Sequence, residues 1–241
     1  MSTTFFYHAH AGLHESVAFD SSEATHISKA LRLKSGDRIE LTNGMGELFL
    51  AELSMDKHHV SARVIEVLSV SDLFVPLHLG IAPTKNADRI EWLVEKAVEL
   101  GVGEISFLNC AHSERSRISM DRIHRVAIAA LKQSRRTFLP KINESLDFLD
   151  WLKGVDSEQR FIAHCMDNVP RTLLRDSIQL NASNVHSTVC IAIGPEGDFS
   201  ETEVQAALAV SFQSVSLGSA RLRTETAALA AIHTYNLMHQ H

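Results

Sequence analysis

The stretch STVCIAIGPEGDFSETEVQAAL, Ser187 to Leu208, decides how the rest of the chain is read. Val189 to Ile193 is a short, β-branched apolar run of the kind that forms a strand buried on both faces. Ser200 and Glu203 have the S-x-x-E spacing of a capping box that opens a helix. The order is therefore strand, loop, helix. Within the loop, Gly194 and Gly197 free the backbone for positive φ and for close approach by another molecule, while Pro195 fixes its own φ and removes an amide donor. Such a loop can press its main chain against a ligand. A tight βα connection that needs glycine only for its own geometry has the same signature, so one copy leaves both readings open.

The same grammar recurs in SFQSVSLGSARLRTETAALAAIHTYNLM, residues 211 to 238. A short strand passes through a Leu217-Gly218 turn into a helix in which Ala228, Leu229, Ile232 and Asn236 keep helical spacing. Strands joined through a helix are normally parallel neighbours. The two glycine loops are thus expected together at one carboxyl edge of a sheet, where open α/β sheets bind ligands. The stretch after the first α/β strand, GIAPTKNADR, is no G-x-G-x-x-G fingerprint, which argues against a dinucleotide fold and against the commoner open-sheet methyltransferases.

Composition frames that site. The 241 residues, 45% of them hydrophobic, suffice for one large core or for a large and a small one. No apolar run approaches the roughly 20 residues of a membrane span. The start MSTTFFYHAHAGLHE has neither a basic n-region nor an apolar h-region, so a cytoplasmic protein is expected. Cys110, Cys165 and Cys190 sit in or beside apolar runs without CxxC spacing, which suits buried thiols. The 14 histidines show no HExxH or other ligand spacing, and no metal is expected.

A balance of 29 acids against 23 bases, net charge −6, does not advertise a nucleic-acid partner, but the bases are clustered. Arg32, Lys34 and Arg38 stand in ALRLKSGDR; Arg115, Arg117, Arg122 and Arg125 in SERSRISMDRIHR; Lys132, Arg135, Arg136 and Lys141 in LKQSRRTFLPK. Each stretch reads as a solvated face or, if folding gathers them, as part of a phosphate-contacting surface. Along the chain, RIELTNGMGELFLAEL places an Asn43-Gly44 hairpin between alternating strands, and HHVSARVIEVLSV adds another strand. This gives a small barrel-like β module over residues 1–70 and a linker over 71–76. From 77 to 241 strands and helices alternate, with strand candidates at 77–82, 104–109, 160–165, 189–193 and 213–217. An α/β fold with a mainly parallel sheet of five to six strands follows. In NADRIEWLVEKAVELGV, Ile90, Leu93, Val94 and Ala97 share a face and Gly101 ends the helix.

The segments ALRLKSGD, KAVELGV, ERS, QSRR, IGPEGDFSETEV and LGSARLRTETAALAAI, in that order and spacing, resemble the ribosomal RNA small subunit methyltransferase E family. The resemblance spans nearly the whole chain, and the last two segments are its most specific part. It differs from the usual pattern at Asp198, where a second glycine is more common, and in the LGSAR turn, where LG-Pro-Arg-Ile is more common. The resemblance implies a PUA-like RNA-binding β-barrel followed by a SPOUT-type domain whose C-terminal segment forms a deep trefoil knot. It also implies an S-adenosyl-L-methionine cofactor, a homodimer, and methylation of N3 of a uridine in 16S rRNA of the small ribosomal subunit.

On that reading, main-chain groups of Ile193, Gly194, Pro195, Glu196 and Gly197, and of Leu217, Gly218, Ser219, Ala220 and Leu222, with Arg223 and Thr224, form the cofactor site. N3 of uracil is a poor nucleophile while it carries its proton, so the site must remove that proton or stabilise the anion. Arg223 is the candidate for the anion or for a neighbouring phosphate. Glu225 either orients Arg223, accepts the proton, or merely suits a helix start. Thr224 reads as an N-cap, and Glu196 as a ligand-contacting acid or a turn residue. Arg32, Lys34, Arg38, Arg115, Arg117, Arg135 and Arg136 are the RNA-binding candidates. The alternatives are a non-catalytic RNA-binding protein on the same scaffold and a nucleotide-binding enzyme that ignores RNA; intact GPEG and RLRTETA segments favour the methyltransferase.

Overall fold

In the computed structural model, which describes residues 4–56, 59–71, 76–114, 118–179 and 187–239, the chain divides into two compact units. One comprises Met1–Phe74 with Ile128–Leu139, the other Val75–Ala127 with Pro140–His241.

Alternating side chains build the first unit. Strands β1 (Phe5–Tyr7), β2 (Ser16–Ala18), β3 (Arg38–Thr42), β4 (Glu47–Met55) and β5 (Val60–Val70) form one sheet in the order β1-β3-β4-β5-β2. The β1–β3 pair is parallel and the others antiparallel. Every second residue of β3, β4 and the first half of β5, among them Ile39, Leu41, Phe49, Ala51, Leu53, Ala62 and Val64, faces a common core. The β4–β5 register slips at Leu48/Phe49 and Leu50/Ala51, the kind of irregularity that bends a sheet. The expected hairpin joins β3 to β4: Asn43 Oδ1 accepts from Met45 N at 2.8 Å, and Gly44 and Gly46 take φ of 77° and 97°. Its tip is tied to the second segment of the same unit, Gly46 N donating to Thr137 O and Leu139 N to Gly44 O, both at 2.9 Å. A short helix α1 (Ser21–Thr25), capped by Asp20, pairs its Glu23 with Lys132 Nζ at 2.6 Å.

The second unit is built on a parallel sheet. In chain order it holds β6 (Leu77–Ile81), α2 (Ala87–Leu100), β7 (Glu104–Asn109), the start of α3 (Met120–Ser134), β8 (Lys141–Asp147), α4 (Phe148–Gly154), β9 (Gln159–Ala163), β10 (Thr172–Leu173), α5 (Leu174–Ser177), β11 (Val189–Ile193), α6 (Glu201–Ala209), β12 (Gln213–Ser216) and α7 (Thr224–His239). The strand order is β10-β12-β9-β11-β6-β7-β8, with every pairing parallel. The expected strands are all present, and β11, buried at each of its five residues, lies near the middle of the sheet.

Two expectations are corrected. The sheet has seven strands rather than five to six. The edge strand β8, Lys-Ile-Asn-Glu-Ser-Leu-Asp, is largely exposed and has no apolar run to betray it, and β10 is only two residues long. Nor are β11 and β12 neighbours, because β9 stands between them and pairs with both. The local signals held. Ile90, Leu93, Val94 and Ala97 are buried on α2, which ends at Gly101 with φ 83°. Ser200 and Glu203 form the full capping box on α6.

Candidate functional site

Parallel strands deliver their following loops to one edge, and here the loops after β9, β11 and β12 enclose a cavity of about 580 Å³ with a residue from the start of α2. From the first glycine loop come Ile193 to Glu196 and Asp198; from the second come Val215 to Gly218 and Ala220 to Thr224. Ala163, His164, Cys165 and Arg171 follow β9, and Arg89 belongs to α2. Ten of the twelve cofactor candidates therefore line one cavity. Gly197 and Ser219 do not: a Cβ on Gly197 would sit 3.1 Å from His112 Cβ, and Ser219 is exposed.

The first loop is rigid for reasons that glycine chemistry alone did not suggest. Neither Gly194 nor Gly197 has positive φ; the left-handed residue is Asp198, with φ 65°. Its carboxylate accepts from Cys165 N at 2.8 Å and from Phe199 N at 2.9 Å, and its carbonyl lies 3.1 Å from His112 Nδ1. An aspartate tolerates this conformation because its short side chain bonds locally. Gly194 is glycine because a Cβ there would meet the ring of buried Phe199 at 2.9 Å. In the second loop Gly218 does take positive φ, 121°, with open space where a Cβ would stand.

Thr224 connects the loops. The sequence suggests an N-cap, but α7 begins at Thr224 itself, and the buried hydroxyl donates to Gly194 O at 3.2 Å. Glu225, on the next position, is 6% exposed and does not line the cavity. Its Oε1 lies 3.9 Å from Arg89 Nε, while its buried Oε2 has no hydrogen-bond partner among the described residues. Arg89 also donates through Nη1 to Glu196 Oε1 at 3.3 Å. Arg89 thus bridges the two acids. It was missed because it lies over 100 residues upstream in sequence. The available signal was its place in the first turn of the helix after β6, off the apolar stripe and at the carboxyl end of a strand that pairs with β11.

Beside this network His164, 5% exposed, accepts at Nδ1 from Met166 N at 3.2 Å and faces Ser214 Oγ through Nε2 at 2.9 Å. Burial holds its pKa below the ordinary histidine value, against the pull of Asp198 and together with the push of Arg171. Of the cysteines, Cys110 and Cys190 are buried as expected, and burial pushes the Cys110 thiol up to about 12. Cys165 is exposed and lines the cavity, a correction that follows from its place just past the end of β9.

The RNA-binding candidates divide. Arg32, Lys34 and Arg38 are exposed in the first unit. In the same unit Arg135 pairs with Glu40 and stacks 5.4 Å over the Phe5 ring, and Arg136 is partly buried, its pKa lowered by that burial. Arg115 and Arg117 lie outside the described residues. Among the described residues no group of three or more His, Cys, Asp or Glu is placed to hold a metal, and no helix is long and apolar enough to cross a membrane.

The comparisons with known proteins agree with this architecture. The model of the RNA methyltransferase domain matches residues 71–236, and that of the RNA methyltransferase PUA domain matches residues 19–65. A Rickettsia conorii protein named ribosomal RNA small subunit methyltransferase E is 30% identical over 220 residues, which cover 90% of this chain and 87% of that one. The chain belongs to the ribosomal RNA small subunit methyltransferase E family. Solved structures of the family superpose over nearly the full length. A probable rRNA-methyltransferase from Porphyromonas gingivalis is 37% identical, with a TM-score of 0.86 and 95% of each chain covered. A ribosomal RNA small subunit methyltransferase E from Neisseria gonorrhoeae, bound to S-adenosyl methionine, is 26% identical, with a TM-score of 0.80 and 96% of each chain covered. Family membership accounts for the PUA-like first sheet and the α/β second unit as parts of one architecture.

Proposed function

We propose that the protein is an S-adenosyl-L-methionine-dependent methyltransferase that modifies N3 of a uridine in 16S rRNA of the small ribosomal subunit. The observation that carries the reading is the convergence of the two glycine loops, joined by the Thr224–Gly194 hydrogen bond, around a cavity of about 580 Å³. That volume lies within the usual range for small-molecule sites, roughly 300–1,000 Å³. The open space beside Gly218 and the main-chain groups on both loops suit a nucleoside recognised without bulky side chains. When bound, the cofactor supplies a methyl group made electrophilic by its sulfonium.

The chain's own residues then position and polarise. Main-chain groups of Ile193 to Glu196 and of Leu217, Gly218, Ala220 and Leu222 hold the adenosine. Arg223, exposed at the head of α7, donates to a uracil carbonyl and so stabilises the anion left as the N3 proton passes to solvent at the exposed arm. Glu225 acts through Arg89, because it is buried outside the cavity lining. A uridine paired in a duplex cannot present N3, so the target is single-stranded or flipped out. The PUA-like unit, with Arg32, Lys34 and Arg38, supplies phosphate contacts. A trefoil knot and a homodimer, both implied by the family resemblance, complete the proposal. Methylation of small-subunit rRNA by purified protein, with mass-spectrometric mapping of the product, tests it. A methyl group mapped to any position but N3 of a uridine overturns the specificity, and no cofactor binding by calorimetry overturns the whole reading. Light scattering is expected to give twice the 26.7 kDa chain mass.

A further inference from the structure

The arginines that line the cavity divide by whether a carboxylate answers them. Four arginines line it, Arg89, Arg171, Arg221 and Arg223, against two carboxylates, Glu196 and Asp198. Arg89 is engaged by Glu196 and Glu225. Arg171 donates through Nη1 to His164 O at 2.7 Å and approaches Asp167 through Nη2 at 3.5 Å. Asp198 spends its carboxylate on the amides of Cys165 and Phe199. Arg221 and Arg223 are left exposed, with no carboxylate partner among the described residues. The loop after β12 therefore carries two arginines with no carboxylate partner among the described residues.

A cofactor that combines a sulfonium, an ammonium and a carboxylate is itself a net cation whose single carboxylate does not call for two such arginines. An RNA backbone does. Arg223 is fixed at the head of α7, its carbonyl accepting from Ala227 N at 2.8 Å. Arg221 stands two residues earlier, in the run of four exposed residues from Gly218 to Arg221, so its guanidinium is free to reach outward. We propose that Arg221 binds a backbone phosphate of the RNA strand whose uridine enters the cavity, and so places the base against Arg223. The planar, five-donor guanidinium suits bidentate phosphate contact. The proposal rests on the methyltransferase reading above.

The test measures binding of a labelled single-stranded oligouridine RNA to the full chain across a salt series, with cofactor affinity followed separately by calorimetry. Arg221→Ala is expected to flatten the plot of log affinity against log salt by about one unit. It should also weaken RNA binding roughly five- to tenfold near 50 mM salt, the worth of one released counterion. It should raise KM for RNA more than it lowers kcat and leave cofactor affinity within about twofold. Arg221→Lys is expected to keep most of the slope, and Arg221→Glu to lose more of it than Arg221→Ala. An unchanged slope in Arg221→Ala overturns the proposal, as does a loss of cofactor affinity at constant RNA affinity. Wild-type protein that binds neither cofactor nor RNA overturns the underlying reading as well.

Discussion

The two loops that face each other across the cavity are held in opposite ways. The loop after β11 is locked: Phe199 packs on Gly194, Asp198 clamps Cys165 and Phe199, and the capping box of Ser200 and Glu203 fixes its exit. Glu203 extends this lock by accepting from Ala111 N at 2.8 Å. The loop after β12 has little of this. Ser216 Oγ bonds to Gly218, Thr224 holds its far end to Gly194, and Gly218 to Arg221 are exposed. One loop forms a fixed wall, and the other is an exposed arm that carries the two arginines with no carboxylate partner among the described residues. Such a division suits a site that must grip a small cofactor and also admit a large, flexible strand.

The strongest test of that division is Arg223→Ala. If the arm performs chemistry, the single-turnover rate at saturating RNA should fall by about 100- to 1,000-fold, as when one preorganised donor to a developing anion is lost. Cofactor affinity should hold within about twofold, since the main-chain groups of both loops that hold the adenosine are untouched. Full recovery of turnover once RNA is saturating would reduce Arg223 to a second phosphate anchor beside Arg221.

Glycine substitutions compare the loops by stability. Gly194→Val forces a branched side chain against the Phe199 ring and its backbone nitrogen, 3.2 Å from the new Cβ, in a fully packed region. An overpacking cost of about 1–3 kcal/mol is expected in denaturant unfolding, with loss of cofactor binding. Gly218→Val meets no neighbour, so only its positive φ is penalised, at about 1–2 kcal/mol. It should lose cofactor affinity while unfolding at a higher denaturant concentration than Gly194→Val. A Gly218→Val protein that unfolds at a lower denaturant concentration than Gly194→Val would overturn this order.

How far the sequence reveals this depends on whether a feature is local. The β11 run, the capping box, the αL stop at Gly101 and the recurrence of the strand–loop–helix pattern are written in contiguous residues, and each is found where it was read. Features decided by distant partners were not legible. Gly194 looks like a turn glycine, yet it answers to a phenylalanine ring; Asp198 looks like a lost glycine, yet it is the residue that takes the left-handed turn. β9 slips between β11 and β12 because strand order is settled by packing, which no periodicity encodes. The pairing of Arg89 with Glu196 and Glu225 joins three separate segments, so helical spacing could report Arg89 only as a polar position off the apolar stripe.

The smallest expected effect is on pH, and it probes a side chain placed between the supports of both loops. His164 follows β9, next to the Cys165 amide clamped by Asp198, and its Nε2 faces Ser214 on β12, the strand that leads into the arm. Because Nδ1 accepts from Met166 N, the neutral ring must carry its proton on Nε2 and donate to Ser214; a second proton on Nδ1 would confront the Met166 amide. The fold therefore favours the neutral form, consistent with the lowered pKa. The unfolded chain, with an ordinary histidine pKa near 6.5, takes up the proton first as the solution is acidified. Stability is thus complete above about pH 6.5 and declines as pH falls from there toward the folded-state value. Cofactor affinity should weaken over the same window as the two supports loosen together, while Arg221-dependent salt sensitivity persists. His164→Gln removes the titrating group while keeping a donor for Ser214, and should flatten this acid limb; an identical limb in His164→Gln would assign the pH dependence to other groups.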